Sequence, residues 1–214
     1  MKWLIIAVCG LFLSHVHTKN SSWDYNEYKQ TTYKNFRDQN KFNQQVNIAE
    51  VDYPLLHAAI FFVTNEVRTK KGLEPLQFNL NLEIAAWHHS KAMAERDFFN
   101  HNNMYEPKRR TPNDRAKLAG ISNPYLAENI AETSALQYQS GEEIYILDKK
   151  KGVFSLEDGG EPIDSQTYIR IAEIVVDQWM NSKPHRKNIL SKEGLEMGCG
   201  AYLYKDKRFY NMPT

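Results

Sequence analysis

Cysteine is nearly absent: two residues in 214, at positions 9 and 199. A disulfide framework of the kind that holds small exported domains is therefore excluded, and stability must come from an apolar core. Charge of one sign is missing too. The 27 basic and 26 acidic side chains leave a formal charge of +1, without the cationic excess that binding to a phosphate backbone requires, so a nucleic-acid partner is not expected. Long apolar runs are scarce. The longest, Trp3 to Leu13, has eleven residues, where a membrane-spanning helix needs about 20. The strong catalytic motifs are also lacking: there is no H-E-x-x-H, no P-loop, no G-x-S-x-G and no pair of C-x-x-C. What is present is 42% hydrophobic and 25% charged, the ordinary balance of a folded domain.

The short apolar run follows Met1 and Lys2 and precedes polar Ser14, His15, His17 and Thr18, the layout of a secretory signal peptide over residues 1–18. Its removal takes away Cys9 and leaves Cys199 alone, between Gly198 and Gly200, where a buried inert thiol is expected ahead of a nucleophile. The expected location is extracellular or in the cell envelope, with no transmembrane segment after cleavage. So few cysteines in an exported chain point to a bacterial exporter. Residues 19–50 are rich in Asn, Gln, Lys and Tyr without an apolar period, and predict a polar N-terminal arm, a poorly ordered tether.

A regular domain is expected over 51–214. Asp52-Tyr53-Pro54 opens a helix carrying Leu56, Ala59, Ile60, Val63 and Val67, which Gly72 ends. A second helix starts near Asn81, with Leu82, Ala85, Ala86, His89 and Met93 on one face, so that His89 reads as a hydrogen-bonded core histidine. Thr111-Pro112-Asn113-Asp114 starts a short third helix, with Thr as cap, Pro first inside and an acid at the third position. Tyr168, Ala172, Val175, Val176 and Trp179 form the stripe of a fourth helix, and Ser182 and Pro184 restart a turn through His185. Strands are expected at Ile144 to Leu147 and Val153 to Leu156, a hairpin within an insertion at 132–167. Two more are expected at Cys199 to Tyr204 and Phe209 to Met212. Helices first and strands late make the fold class α+β.

Four residues at element ends or on polar faces are candidates for chemistry: His101, Glu128, Glu173 and His185. Converging, they would suit a zinc-like divalent ion with open coordination positions; without an ion, each carboxylate would orient an imidazole. Taken singly, a histidine placed like His101 is more often a loop residue than a ligand, and Glu173 reads as a solvated helix position and His185 as a capping side chain.

The segments Phe99-Asn100-His101, Thr111 to Gly120, Ala127-Glu128-Asn129-Ile130-Ala131, Glu173 to Ser182 and Pro184 to Leu190 occur in this order. Together they resemble the CAP superfamily, or SCP domain (cysteine-rich secretory proteins, antigen 5 and pathogenesis-related proteins), in its bacterial extracellular form. The resemblance implies a three-layer α-β-α sandwich with a central cleft. In that cleft a His/Glu/Glu/His tetrad would fall on His101, Glu128, Glu173 and His185. It further implies Zn2+ or another divalent cation on His101 and His185, and a small ligand, a lipid or sterol, or a cell-envelope partner. The expected function is a non-catalytic binding module. The alternatives are a metal-assisted, peptidase-like hydrolase with Glu128 or Glu173 as base, and a lipid carrier. Relative to the family pattern, Ala127 replaces a common Gly, 132–167 is long, and one final strand is expected to be missing after Thr214.

Overall fold

The structure is a computed structural model and describes residues 3–5, 21–122, 124–139, 141–148 and 151–205. The proposed signal peptide, apart from Trp3–Ile5, and the expected strand at 209–212 lie outside these residues. Five helices dominate: α1 (Tyr53–Lys70), α2 (Leu80–Arg96), α3 (Pro112–Leu118), α4 (Tyr168–Asn181) and α5 (Lys183–Ile189). The strands are short and pair two by two. β1 (Trp3–Ile5) runs antiparallel to β6 (Leu203–Lys205), β2 (Gln77–Phe78) parallel to β5 (Glu196–Met197), and β3 (Tyr145–Asp148) antiparallel to β4 (Val153–Ser155). Helices and strands together make this an α+β fold.

Helix starts follow side-chain chemistry. Asp52 accepts the Leu55 amide at 3.1 Å, with Pro54 in the first turn of α1. Asn79 caps α2 through the Leu82 amide. Thr111 and Asp114 close a reciprocal capping box on α3. α1 and α4 pack against each other and bury Leu56, Ile60, Val63, Ala172, Val175 and Val176 in the main core.

Helix–strand–helix layering is set by the segment 197–201, in which alternate residues face opposite sides. Cys199 and Ala201 join the core on the α1 and α4 side, and the Ala201 carbonyl lies 3.3 Å from His57 Nε2 of α1. Gly198 and Gly200 face α2. A Cβ on Gly198 would fall 2.1 Å from the Glu83 nitrogen, and one on Gly200 would fall 1.9 Å from the Trp87 nitrogen. The backbones touch there, Ser90 Oγ donates to the Gly200 carbonyl at 2.9 Å, and no side chain fits.

The N-terminal arm differs from the expected tether. Residues 21–50 form three short 3-10 turns, Tyr25–Lys29, Phe36–Asp38 and Asn40–Asn43, that lie against α1 and α4. Trp23, Phe36 and Phe42 are buried, and their rings meet Phe62 of α1 at centroid distances of 5.5 to 5.6 Å for Trp23 and Phe36 and 6.1 Å for Phe42. Tyr25 and Tyr28 donate their hydroxyls to the buried Glu83 carboxylate at 2.9 and 3.3 Å. Three aromatic anchors outweigh the polar composition around them.

Candidate functional site

α2 ends at Asp97, which takes a left-handed conformation (φ 55°) secured by the Tyr204 hydroxyl at 2.6 Å. The chain then turns back through Phe98 to His101. His89, on the inner face of α2, lies 3.0 Å through Nε2 from the Asn100 carbonyl. A carbonyl can only accept, so Nε2 carries the hydrogen, and this bond anchors the residue next to His101. His89 is the buried, hydrogen-bonded histidine that its position on the stripe predicts. Burial is the main cause that lowers its pKa to about 4, with the Arg115 charge adding to it.

His101 Nδ1 lies 2.7 Å from Glu128 Oε1. The Glu128 side chain is only 2% exposed, and its other oxygen is 2.5 Å from the guanidinium of Arg115, which is equally buried. Arg115 sits on the inward face of α3 and does more than neutralise Glu128. It also donates to the backbone carbonyls of His101 (3.0 Å), Arg109 (3.1 Å) and Arg110 (3.2 Å). One guanidinium thus holds three backbone carbonyls, from two segments, and a carboxylate. With Arg115 on one oxygen, Glu128 is an ionised acceptor, so His101 Nδ1 must donate to it. That fixes the tautomer and turns the Nε2 lone pair towards solvent from a half-exposed ring.

α5 supplies His185 and is tied to the Glu128 segment by amides. Asn129 Nδ2 donates to the His185 carbonyl at 3.1 Å, and Asn188 Nδ2 donates to Asn129 Oδ1 at 2.8 Å. The far end of α5 is held by buried Arg68, which donates to the carbonyls of Ile189 (2.6 Å) and Ser191 (2.9 Å). Burial lowers the His185 pKa and the neighbouring charge of His101 lowers it further, so the two imidazoles lie within electrostatic reach of each other.

The fourth candidate does not join them. Glu173 binds Arg37 of the N-terminal arm at 2.8 Å and Arg170 at 3.4 Å, and makes no bond to His101, Glu128 or His185. It lies about 12 Å down the α4 axis from Asn181, where the chain turns towards His185. Of the four candidates, His101 and Glu128 are bonded to each other and His185 lies within electrostatic reach of His101, while the bonds of Glu173 go to Arg37 and Arg170. Arg115 is the buried cation in the arrangement, and sequence spacing gives no sign of it because its partners are a carboxylate and carbonyls of other segments.

Among the described residues no group of three or more His, Cys, Asp or Glu side chains is placed to hold a metal. The two imidazoles fit as a partial anchor: His101 offers Nε2 because Glu128 takes Nδ1, and burial favours the neutral form of His185. Elsewhere, a shallow depression of about 480 Å³ on α4 is lined by Ile174, Asp177, Gln178, Asn181 and Ser182 and holds none of the four candidates.

A helix–strand–helix domain with a carboxylate-fixed histidine at a loop end defines a class of α+β sandwich domains. The model of the cysteine-rich secretory protein family, CAP, matches residues 61–212, and the chain belongs to this family. It is 30% identical over 138 residues to the Bacillus subtilis (strain 168) protein described as "Uncharacterized protein YkwD", a match covering 64% of this chain and 39% of that protein. Among solved structures, an extracellular protein containing a SCP domain from Bacillus anthracis str. Ames aligns with a TM-score of 0.41 and 21% identity. That alignment covers 72% of this chain and 42% of the other. The chain thus spans about two fifths of the length of each relative. No helix among the described residues is long and apolar enough to cross a membrane.

Proposed function

We propose that this CAP domain is an exported, non-catalytic binding module whose ligand meets the outward nitrogen of His101 and the ring of His185. The observation that carries this reading is the buried chain from Arg115 through Glu128 to His101 Nδ1, which prepares one imidazole nitrogen as an acceptor facing solvent. Zn2+ or a related divalent cation is the ligand proposed first, held by His101 and His185. When bound, such an ion supplies a Lewis-acid centre to which a small anionic or carbonyl ligand can attach. Glu128 orients His101 in this scheme, and Asn129 keeps α5 in register with it.

The hydrolase alternative has less support in the residues. Both oxygens of Glu128 are engaged, and Glu173 is paired with Arg37 and Arg170, so neither carboxylate stands ready as a base. A lipid carrier would need an open apolar groove, whereas Trp23, Phe36 and Phe42 cover the apolar side of α1. Calorimetric titration of residues 19–214 with zinc chloride tests the proposal. Binding that falls at least about tenfold in both His101→Ala and His185→Ala is expected. Equal affinity in wild type and both variants would remove it.

A further inference from the structure

The loops that deliver His101 and Glu128 also carry exposed apolar and cationic side chains. Among the described residues, Phe99, Met104, Tyr105 and Tyr125 are four of the eight large hydrophobic residues that remain exposed. Soluble surfaces rarely concentrate such residues without a partner. Tyr125 is 92% exposed and lies three residues before Glu128; Tyr105 lies four after His101. The loop is rigid. Asn103 is buried, and its side-chain oxygen accepts the amides of Tyr105 (2.9 Å) and Glu106 (3.2 Å). The Tyr105 ring rests against Phe98 at 5.4 Å.

Cations sit in the same loop. Arg115 donates to the backbone carbonyls of His101, Arg109 and Arg110, which ties the backbone of this loop to that of His101. Arg109 is paired with Glu106 at 2.9 Å. Exposed Lys108 and Arg110 have no ion-pair partner among the described residues, in a chain whose overall charge is only +1. The surface is therefore locally positive on a neutral background. The Tyr105 ring, 56% exposed, has the Arg96 guanidinium 5.9 Å over it, a further cation beside exposed Lys108 and Arg110 of the same loop.

We propose that this rim binds an anionic carbohydrate polymer: the rings of Tyr105 and Tyr125 stack on sugar faces, and Lys108 and Arg110 meet its carboxylate or phosphate groups. An acidic peptide would satisfy the cations but leave the exposed rings without flat partners. A neutral glycan would leave the cations without counter-charge. The proposal does not require an ion between the two imidazoles.

The test uses calorimetry on residues 19–214 with three probes of matched length: polygalacturonate, neutral dextran and polyaspartate. Polygalacturonate is expected to bind at least about fivefold more tightly than either of the others, and more weakly at high salt. Tyr105→Ala and Tyr125→Ala should each weaken it several-fold, and Lys108→Gln with Arg110→Gln should flatten the salt dependence. Absence of polygalacturonate binding, equal binding of dextran or polyaspartate, or no effect of the tyrosine variants would overturn the proposal. These side chains are exposed, so the variants keep the fold, and each should titrate zinc as wild type does. Polymer binding without a zinc signal would leave this inference standing and remove only the ion proposed above.

Discussion

Acidification should unfold this protein partly through His89. Its ring is 1% exposed, Nε2 is committed to the Asn100 carbonyl, and Nδ1 is buried without an acceptor. A second proton would have to enter at Nδ1, next to the charge of Arg115. In the unfolded chain the same ring titrates near 6.5, whereas in the folded protein it titrates at about 4. Between these values the unfolded state binds a proton that the native state refuses. Stability is therefore full above the upper value and is lost as pH falls towards the lower one. The gap corresponds to about 3 kcal/mol, at about 1.4 kcal/mol per pH unit. His89→Gln keeps an amide donor near Asn100 and removes the titration. Urea unfolding of both proteins from pH 7.5 to 4 measures the difference directly. Wild type should lose about 3 kcal/mol more than the variant across that window. Parallel stability curves would refute the reasoning.

Other perturbations follow from the same contacts. Arg115→Met leaves Glu128 charged in a dry site and should cost about 3–5 kcal/mol in urea unfolding, with much of the loss recovered in the Arg115→Met/Glu128→Gln double variant. Gly200→Ala places a methyl group against the backbone of α2, and thermal denaturation should show a loss of at least about 2 kcal/mol or failure to fold. Phe42→Ala removes a ring from the contact between the arm and α1 and should cost about 3–5 kcal/mol, whereas a dispensable tether would leave the melting temperature unchanged. Glu173→Gln breaks a partly exposed pair with Arg37; it should cost less than about 1 kcal/mol and leave zinc titration unchanged.

The helices were legible because their signals are local. Thr111, Pro112 and Asp114 lie within four residues and specify the start of α3 by themselves, and the apolar stripe of α4 needs only its own period. Cys199 between two glycines was likewise readable as a buried thiol, although the reason for the glycines, contact with α2, depends on a segment more than a hundred residues away. The arm was not legible. Trp23, Phe36 and Phe42 follow no helical or strand period, and their value lies in Phe62 across the interface.

The candidate site was read in part. His101, Glu128 and His185 stand out by their places at element ends and by the family resemblance, and the geometry of the first two agrees with a carboxylate that orients an imidazole. Glu173 was assigned to the same cleft, but a Glu on a helix does not reveal which way it points. Its partner Arg37 stands 136 residues away, in a segment that composition marks as a tether. Arg115, Asn129 and Asn188 were missed because their roles consist of contacts to backbone and amides of other segments, which leave no spacing to read.

Ligand binding at this site depends on the His101 ring, and nitrogen-15 NMR of its imidazole is the direct measurement. The neutral ring should carry its hydrogen on Nδ1, bonded to Glu128, with Nε2 bare. A neutral ring protonated at Nε2 would contradict the account, because Glu128 would then fix nothing and no acceptor would face the ligand.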